Sequence, residues 1–252
     1  MRDRGLKLSA WAAALITVAA VLAIWQAFGS SLIDSISEPS AIAPAIGNWF
    51  SQGDLRSAIF STLLTAAVGF LLTIVIGVVL AGLLASSRLA SKVLEPYLSA
   101  INAIPKVALA PLFILVFGIS GTGNVYFIAL SVFFIPFFTL YQAIRTVDVT
   151  TVNHARVLGA TAFELVRDVY LPAMVGSLVA TLRVTASFCL ISAIIFELVA
   201  AQGGIGYELS LAQQTVEPAV IVSSVVIVAA VAFIVDRLFA ALERHFASWR
   251  LG

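Results

Sequence analysis

The chain has 252 residues, 61% of them hydrophobic and only 11% charged, with a mean hydropathy of +1.08 and a formal net charge of +1. Soluble domains carry about 25% charged residues, so there is too little charge here to coat a globule and more apolar surface than one core would bury. A water-soluble globule is ruled out in favour of a bilayer, and the balanced charge gives no reason to expect nucleic acid as a partner.

A spanning helix needs about 20 apolar residues. Six segments meet that requirement, 9–28, 57–86, 97–118, 124–145, 173–199 and 219–241, which predicts an all-α integral membrane fold in a single domain, 1–252. The first segment follows Arg2, Arg4 and Lys7 and ends at Ala27-Phe28-Gly29, a passable signal-cleavage pattern. Its length exceeds the about 7–15 residues of a signal core, so a retained helix is expected. Residues 29–56, with Pro39, Pro44, Gly47 and Gly53, read as an external loop carrying a short amphipathic helix near Ile42 to Phe50. The second segment is long enough to tilt or to protrude from the bilayer. Gly203 to Gly206, after the fifth, predict a tight external turn.

Orientation follows from the Lys/Arg bias. With a cytoplasmic N-terminus, the inside segments hold Arg2, Arg4, Lys7, Arg88, Lys92, Arg145, Arg156, Arg167, Arg237, Arg244 and Arg250, and the outside segments hold only Arg56. Six spans return the C-terminus to the cytoplasm.

Between the fourth and fifth segments, 147–172, the hydropathy drops and helix punctuation appears. Thr150 is expected to cap a first helix ending at Gly159, a residue suited to the left-handed position after a helix. Thr161 and Glu164 have the spacing of a capping box for a second helix, which runs until Pro172 opens the next span. Ala162, Phe163, Leu165 and Val166 are expected to form an apolar patch between Arg156 and Arg167. Such a patch suits either a protein partner or lipid headgroups.

This stretch is similar to the "EAA" coupling loop of ATP-binding-cassette importer permeases, whose pattern is Glu-Ala-Ala, three residues, Gly, nine residues, Ile, one residue, Leu-Pro. Asn153, His154 and Ala155 stand at the leading positions; Gly159, Leu171 and Pro172 match, with Val169 in place of Ile. Ile104-Pro105-Lys106-Val107-Ala108-Leu109-Ala110-Pro111-Leu112 with Phe117-Gly118-Ile119 resembles the third-span signature of the permeases for taurine, alkyl sulfonates, nitrate and thiamine-precursor pyrimidines. Glu197 followed by Gly204-Ile205-Gly206-Tyr207, and Leu242-Glu243-Arg244 with Trp249, are also similar to that subfamily. The resemblance implies a type I importer permease in the bacterial inner membrane. It implies two cytoplasmic ATPase subunits holding ATP and Mg, a second and identical permease copy, and a periplasmic or lipid-anchored binding protein. It places ATPase coupling on Asn153, His154, Ala155, Arg156, Gly159, Ala162, Phe163, Leu171 and Pro172.

Charge at membrane depth costs about 2.5–3.5 kcal/mol per residue on insertion scales, so each case calls for a role. Pro105 and Pro111 break the helical ladder around Lys106, and broken helices at membrane depth face protein or a water-filled cavity. Asn102, Pro105 and Lys106 are therefore expected to line the translocation path. Arg183 lies eleven residues after Pro172, giving a pore-facing or Glu-paired position. Glu197, near the outer end of the fifth segment, is expected on the path, paired at a dimer seam, or snorkelling to the interface.

Catalytic signatures are absent: no GxxxxGK[ST] phosphate loop, HExxH, GxSxG or CxxC occurs. His154 and His245 are too isolated for a metal site, and Cys189 reads as a small core hydrophobe. A self-sufficient secondary transporter is the alternative to the importer; it predicts inverted repeats and a relay of buried charges, and neither is visible.

Overall fold

The longest apolar run folds as the longest helix, and the other elements are arranged around it. The computed structural model describes residues 12–13, 16–27, 37–51, 54–200 and 202–247, all helical or connecting turns. In chain order the helices are α1 (Ile16–Ala27), α2 (Pro39–Ser51), α3 (Asp54–Ser86), α4 (Arg88–Asn102), α5 (Ala110–Phe117), α6 (Gly121–Val132), α7 (Phe134–Arg145), α8 (Val149–Val157), α9 (Ala162–Leu165), α10 (Leu171–Ala200), α11 (Ile205–Gln214) and α12 (Pro218–Ala247). Among the described residues four stretches are long and apolar enough to cross a membrane, and α4 with α5 supplies a fifth if that bent pair is one span. Of the predicted first span only the twelve residues of α1 form a described apolar helix, shorter than a crossing.

α3 has no polar stripe. One side packs against α6, α7 and α10, while Phe60, Leu64, Leu71 and Val75 remain exposed on it. A helix apolar all round belongs inside a large core or in lipid. Gly69 lets α6 approach closely: a Cβ there would lie 2.6 Å from Ile128 Cγ2. Small residues at such crossings are the ordinary currency of helix packing in membranes, where lipid removes the hydrophobic drive.

The predicted third span is corrected. Its helix begins at Arg88, not 97, because the Ser87 hydroxyl accepts a hydrogen bond from the Ala90 amide and caps it there. The chain then bends by 84° between α4 and a short 3-10 turn, Lys106–Leu109, that leads into α5. Pro105 has no amide to donate, and the residue before a proline is pushed from helical geometry. The predicted fourth span is a single stretch, α6 and α7 meeting at Phe133. α4 is tied to α7 by a relay in which Arg145 donates to the Tyr141 hydroxyl (2.9 Å) and Tyr141 donates to Glu95 (3.1 Å).

The loop helix expected near Ile42–Phe50 is α2. It buries Ile42 and Trp49 and lies along α12, whose Ser223 hydroxyl donates to the Ile42 carbonyl at 3.4 Å. Beyond the predicted turn at Gly203 lies an element that hydropathy hid. α11 is a ten-residue helix packed on α10 and α12, with Ile205, Leu209 and Ala212 buried. Cys189 is buried in the largest core cluster, beside Leu190, Ala193 and Ile205.

Candidate functional site

The segment between α7 and α10 forms a bent, outward-facing elbow. Asp148, not Thr150, caps α8: its carboxylate accepts from the Thr150 amide at 2.9 Å, which places Thr150 inside the first turn. At the other end the Ala160 amide donates to the Ala155 carbonyl (3.0 Å) and the Gly159 amide to the Arg156 carbonyl (2.9 Å). This pair of crossed bonds is the Schellman closure. It demands a left-handed residue, and Gly159 sits at φ +88°.

The capping box forms as spaced. The Thr161 amide and hydroxyl both donate to Glu164, at 2.7 and 2.8 Å, and the Glu164 amide donates back to the Thr161 hydroxyl at 3.3 Å. The backbone bond from Thr161, followed by the hydroxyl, holds the Glu164 carboxyl below its ordinary pKa.

A five-residue π turn, Val166–Tyr170, joins α9 to α10, with the Leu171 amide donating to the Val166 carbonyl. Pro172 has no amide for the carbonyl of Asp168, so the ladder is already broken where the widened turn sits. Leu171 and Pro172 thus open α10 and shape the junction, apart from the exposed patch.

Two residues of the elbow are buried, Val152 on α8 and Leu165 on α9, the latter 6% exposed. Leu165 was expected in the patch and is removed from it, because it lies on the inward face of α9. Asn153, His154, Arg156, Ala162 and Phe163 are exposed and Ala155 is half-buried. Phe163 is 73% exposed and Leu158 88%, and with Val157 and Val166 they make up the apolar surface. Val157 and Leu158 were missed; their signal was two large apolar residues just before a helix-terminating glycine.

The intramembrane polar residues divide into three separate clusters. Lys106 folds back on α4: its Nζ donates to the Asn102 carbonyl, lies 3.3 Å from Asn102 Oδ1, and sits 5.1 Å from the Phe134 ring centroid. It thereby satisfies orphan carbonyls at the end of α4. Arg183 pairs with Asp236 of α12, not with a Glu: Nε and Nη2 donate to the two carboxylate oxygens at 2.5 and 2.7 Å, a bidentate fork. Asp236 was overlooked, although an acid inside the last apolar run was its signal. Glu197 does not snorkel; it is 2% exposed. The Thr62 hydroxyl donates to it at 2.8 Å and the Gly206 amide at 3.1 Å, while the Ile205 amide donates to Thr62 at 2.9 Å. This knot fastens the start of α11 to α3. Among the described residues no group of three His, Cys, Asp or Glu residues is placed to hold a metal.

These observations describe a multi-pass helical membrane protein with an exposed two-helix elbow between spans. Residues 73–248 match the family "Binding-protein-dependent transport system inner membrane component", and the chain belongs to that family. It is 28% identical over 249 residues, 98% of this chain and 90% of the relative, to a putative aliphatic sulfonates transport permease protein of Bacillus subtilis. A probable ABC transporter permease protein of Brucella abortus is 30% identical over 79% of this chain and 80% of its own. A nitrate import permease protein of Synechococcus elongatus is 25% identical over 74% and 71%. The fold is shared with a crystal structure of an amino acid ABC transporter with histidines (TM-score 0.65, 19% identity, 80% of this chain and 96% of that one). The chain is therefore the permease component of an ABC importer, with its ATPase on a separate subunit; it is neither an enzyme nor a self-sufficient secondary transporter.

Proposed function

We propose that two identical copies of this single-domain chain enclose the translocation path, each crossing the bacterial cytoplasmic membrane six times with both termini inside. Each elbow receives one cytoplasmic ATPase, which holds the ATP and Mg. A periplasmic or lipid-anchored binding protein delivers the solute to the opposite ends of the helices. Closure of the ATPase pair on ATP carries both elbows with it and turns the path outward. A ligand of one subunit thus selects between two states of another.

The observation that carries this reading is the elbow. Phe163, Leu158 and Val157 are held in water by local caps and flanked by Arg156 and Arg167, a surface that costs free energy until a partner covers it. Asn153, His154 and Ala155 lie on the helix preceding Gly159, and the first two contribute the polar edge of the same surface. The names of the relatives favour a small anion, sulfonate-like or nitrate-like, as the solute, over an uncharged heterocycle. Asn102, Pro105 and Lys106 border the path at the broken span. Arg183 and Glu197, spent on Asp236 and Thr62, hold its walls in place.

Native mass spectrometry of the complex, purified gently from its membranes through a tag on this chain, tests the proposal. Two copies with two phosphate-loop ATPases are expected. A dimer that moves solute in vesicles with no ATPase overturns it.

A further inference from the structure

At the end of α10 remote from the elbow, a cavity of about 230 Å³ opens between α3, the α5–α6 junction and the Gln202–Gly203 turn. Ser61, Thr65, Ser120, Asn124, Glu197 and Gln202 supply its polar lining. Among the described residues that line it there is no Lys, Arg or His.

Two hydroxyls of that lining have committed their protons. Thr65 donates to the Ser61 carbonyl at 2.9 Å and Ser120 to the Phe117 carbonyl at 3.2 Å, so neither hydroxyl has a proton left to give. Asn124 is only 4% exposed, and its Oδ1 has no hydrogen-bond partner among the described residues. The buried carboxyl group of Glu197 lines the same cavity, bonded to a hydroxyl and an amide but to no cation among the described residues. Buried polar groups are normally satisfied, and a buried carboxylate is costly without a counter-charge. A guest that donates completes the Asn124 oxygen, and a positive one also balances the Glu197 carboxyl group. A sulfonate or nitrate, carrying only acceptors, cannot complete the Asn124 oxygen or the Glu197 carboxyl group.

We propose that this cavity binds a small monovalent cation of the ammonium type, free or as the amine of a larger solute. An ammonium group carries donors and no acceptor, which matches the bare Asn124 Oδ1, the Thr65 oxygen and the Glu197 carboxyl group. The site is separate from the elbow and does not depend on how the ATPase docks.

The test uses the purified importer with its ATPase in nanodiscs. Its thermal midpoint is followed in ammonium, methylammonium or choline chloride at equal ionic strength. Ammonium and methylammonium raise the midpoint by roughly 2–4 °C at saturation; choline, which has no N–H, leaves it unchanged. Asn124→Leu removes the shift. Thr65→Val, a milder change, weakens it even if the Leu variant folds poorly. If the simple ammonium salts are silent but 2-aminoethanesulfonate shifts the midpoint, ethanesulfonate does not, and Asn124→Leu removes the effect, the amine of a solute is the guest. No shift with any amine, an equal shift with choline, or shifts indifferent to both substitutions overturn the proposal and leave a water-filled cavity. ATPase yield in the same preparations reports on docking separately.

Discussion

The elbow and the Glu197 knot are built in opposite ways. The elbow is exposed and held by bonds between residues two to five apart: Asp148 with Thr150, Ala155 with Ala160, Thr161 with Glu164. The knot is buried and joins residues far apart in sequence, Thr62 with Glu197 and Thr62 with Ile205. Local bonds let the elbow keep its shape while it presents an unsatisfied apolar surface. Long-range bonds let the knot fix the relative position of three helices. The two regions should therefore fail differently: one in partner binding, the other in stability.

The largest expected effect is on the elbow. Phe163→Asp puts a charge at the centre of the proposed docking surface and should lower ATPase co-purification by about tenfold or more, on the scale of an interface hot spot, with the folded permease recovered at normal yield. Retention of the ATPase at wild-type level would move the docking surface elsewhere. Next comes the knot. Thr62→Val strips the Ile205 amide and Glu197 of a buried partner and should cost about 1–3 kcal/mol, read as a lower thermal midpoint with ATPase stoichiometry intact. If ATPase binding fell instead, the division of labour drawn here would collapse. Gly159→Val forces a β-branched residue into φ +88°, at about 1–2 kcal/mol of local strain. It should uncouple ATP hydrolysis from transport while the helices still insert; normal transport would show that the elbow does not need this bend.

The smallest effect is one of pH. Because the folded pKa of Glu164 is lowered by Thr161, its capping contribution is complete above the ordinary carboxylate value and is lost as pH falls through the folded one. Amide protection at 162–165, taken relative to the intrinsic exchange rate at each pH, should fall on acidification through that window, and Glu164→Gln should flatten the dependence. An unchanged profile would mean that the hydroxyl of Thr161 alone caps α9.

The same contrast explains what could be read in advance. Gly159 and the Thr161–Glu164 box are short-range grammar and appear in the structure as spaced. The break at Pro105 was equally legible. Asp148 displaced Thr150 as the cap because both residue types compete for that role and only the chain's path selects one. Leu165 and Leu158 exchanged places, since which side of a one-turn helix faces inward is decided by tertiary packing. α11 was invisible because Glu208, Ser210, Gln213 and Gln214 give it the composition of a loop; its fixing residues, Thr62 and Glu197, lie on other helices. Asp236 became meaningful only when it stood opposite Arg183.

That Arg183–Asp236 fork has a mechanical consequence. α10 is a rod about 45 Å long at 1.5 Å per residue, entered through the widened turn after Leu165 and ending at the knot. Arg183 lies roughly 18 Å from the elbow end and roughly 21 Å from Glu197 by the same rise. The rod is pinned to α12 near its middle. The pin divides α10 into two arms of nearly equal length, a far arm locked by the knot and a near arm that meets the elbow through the π turn, so whatever slack the rod has lies at the elbow end.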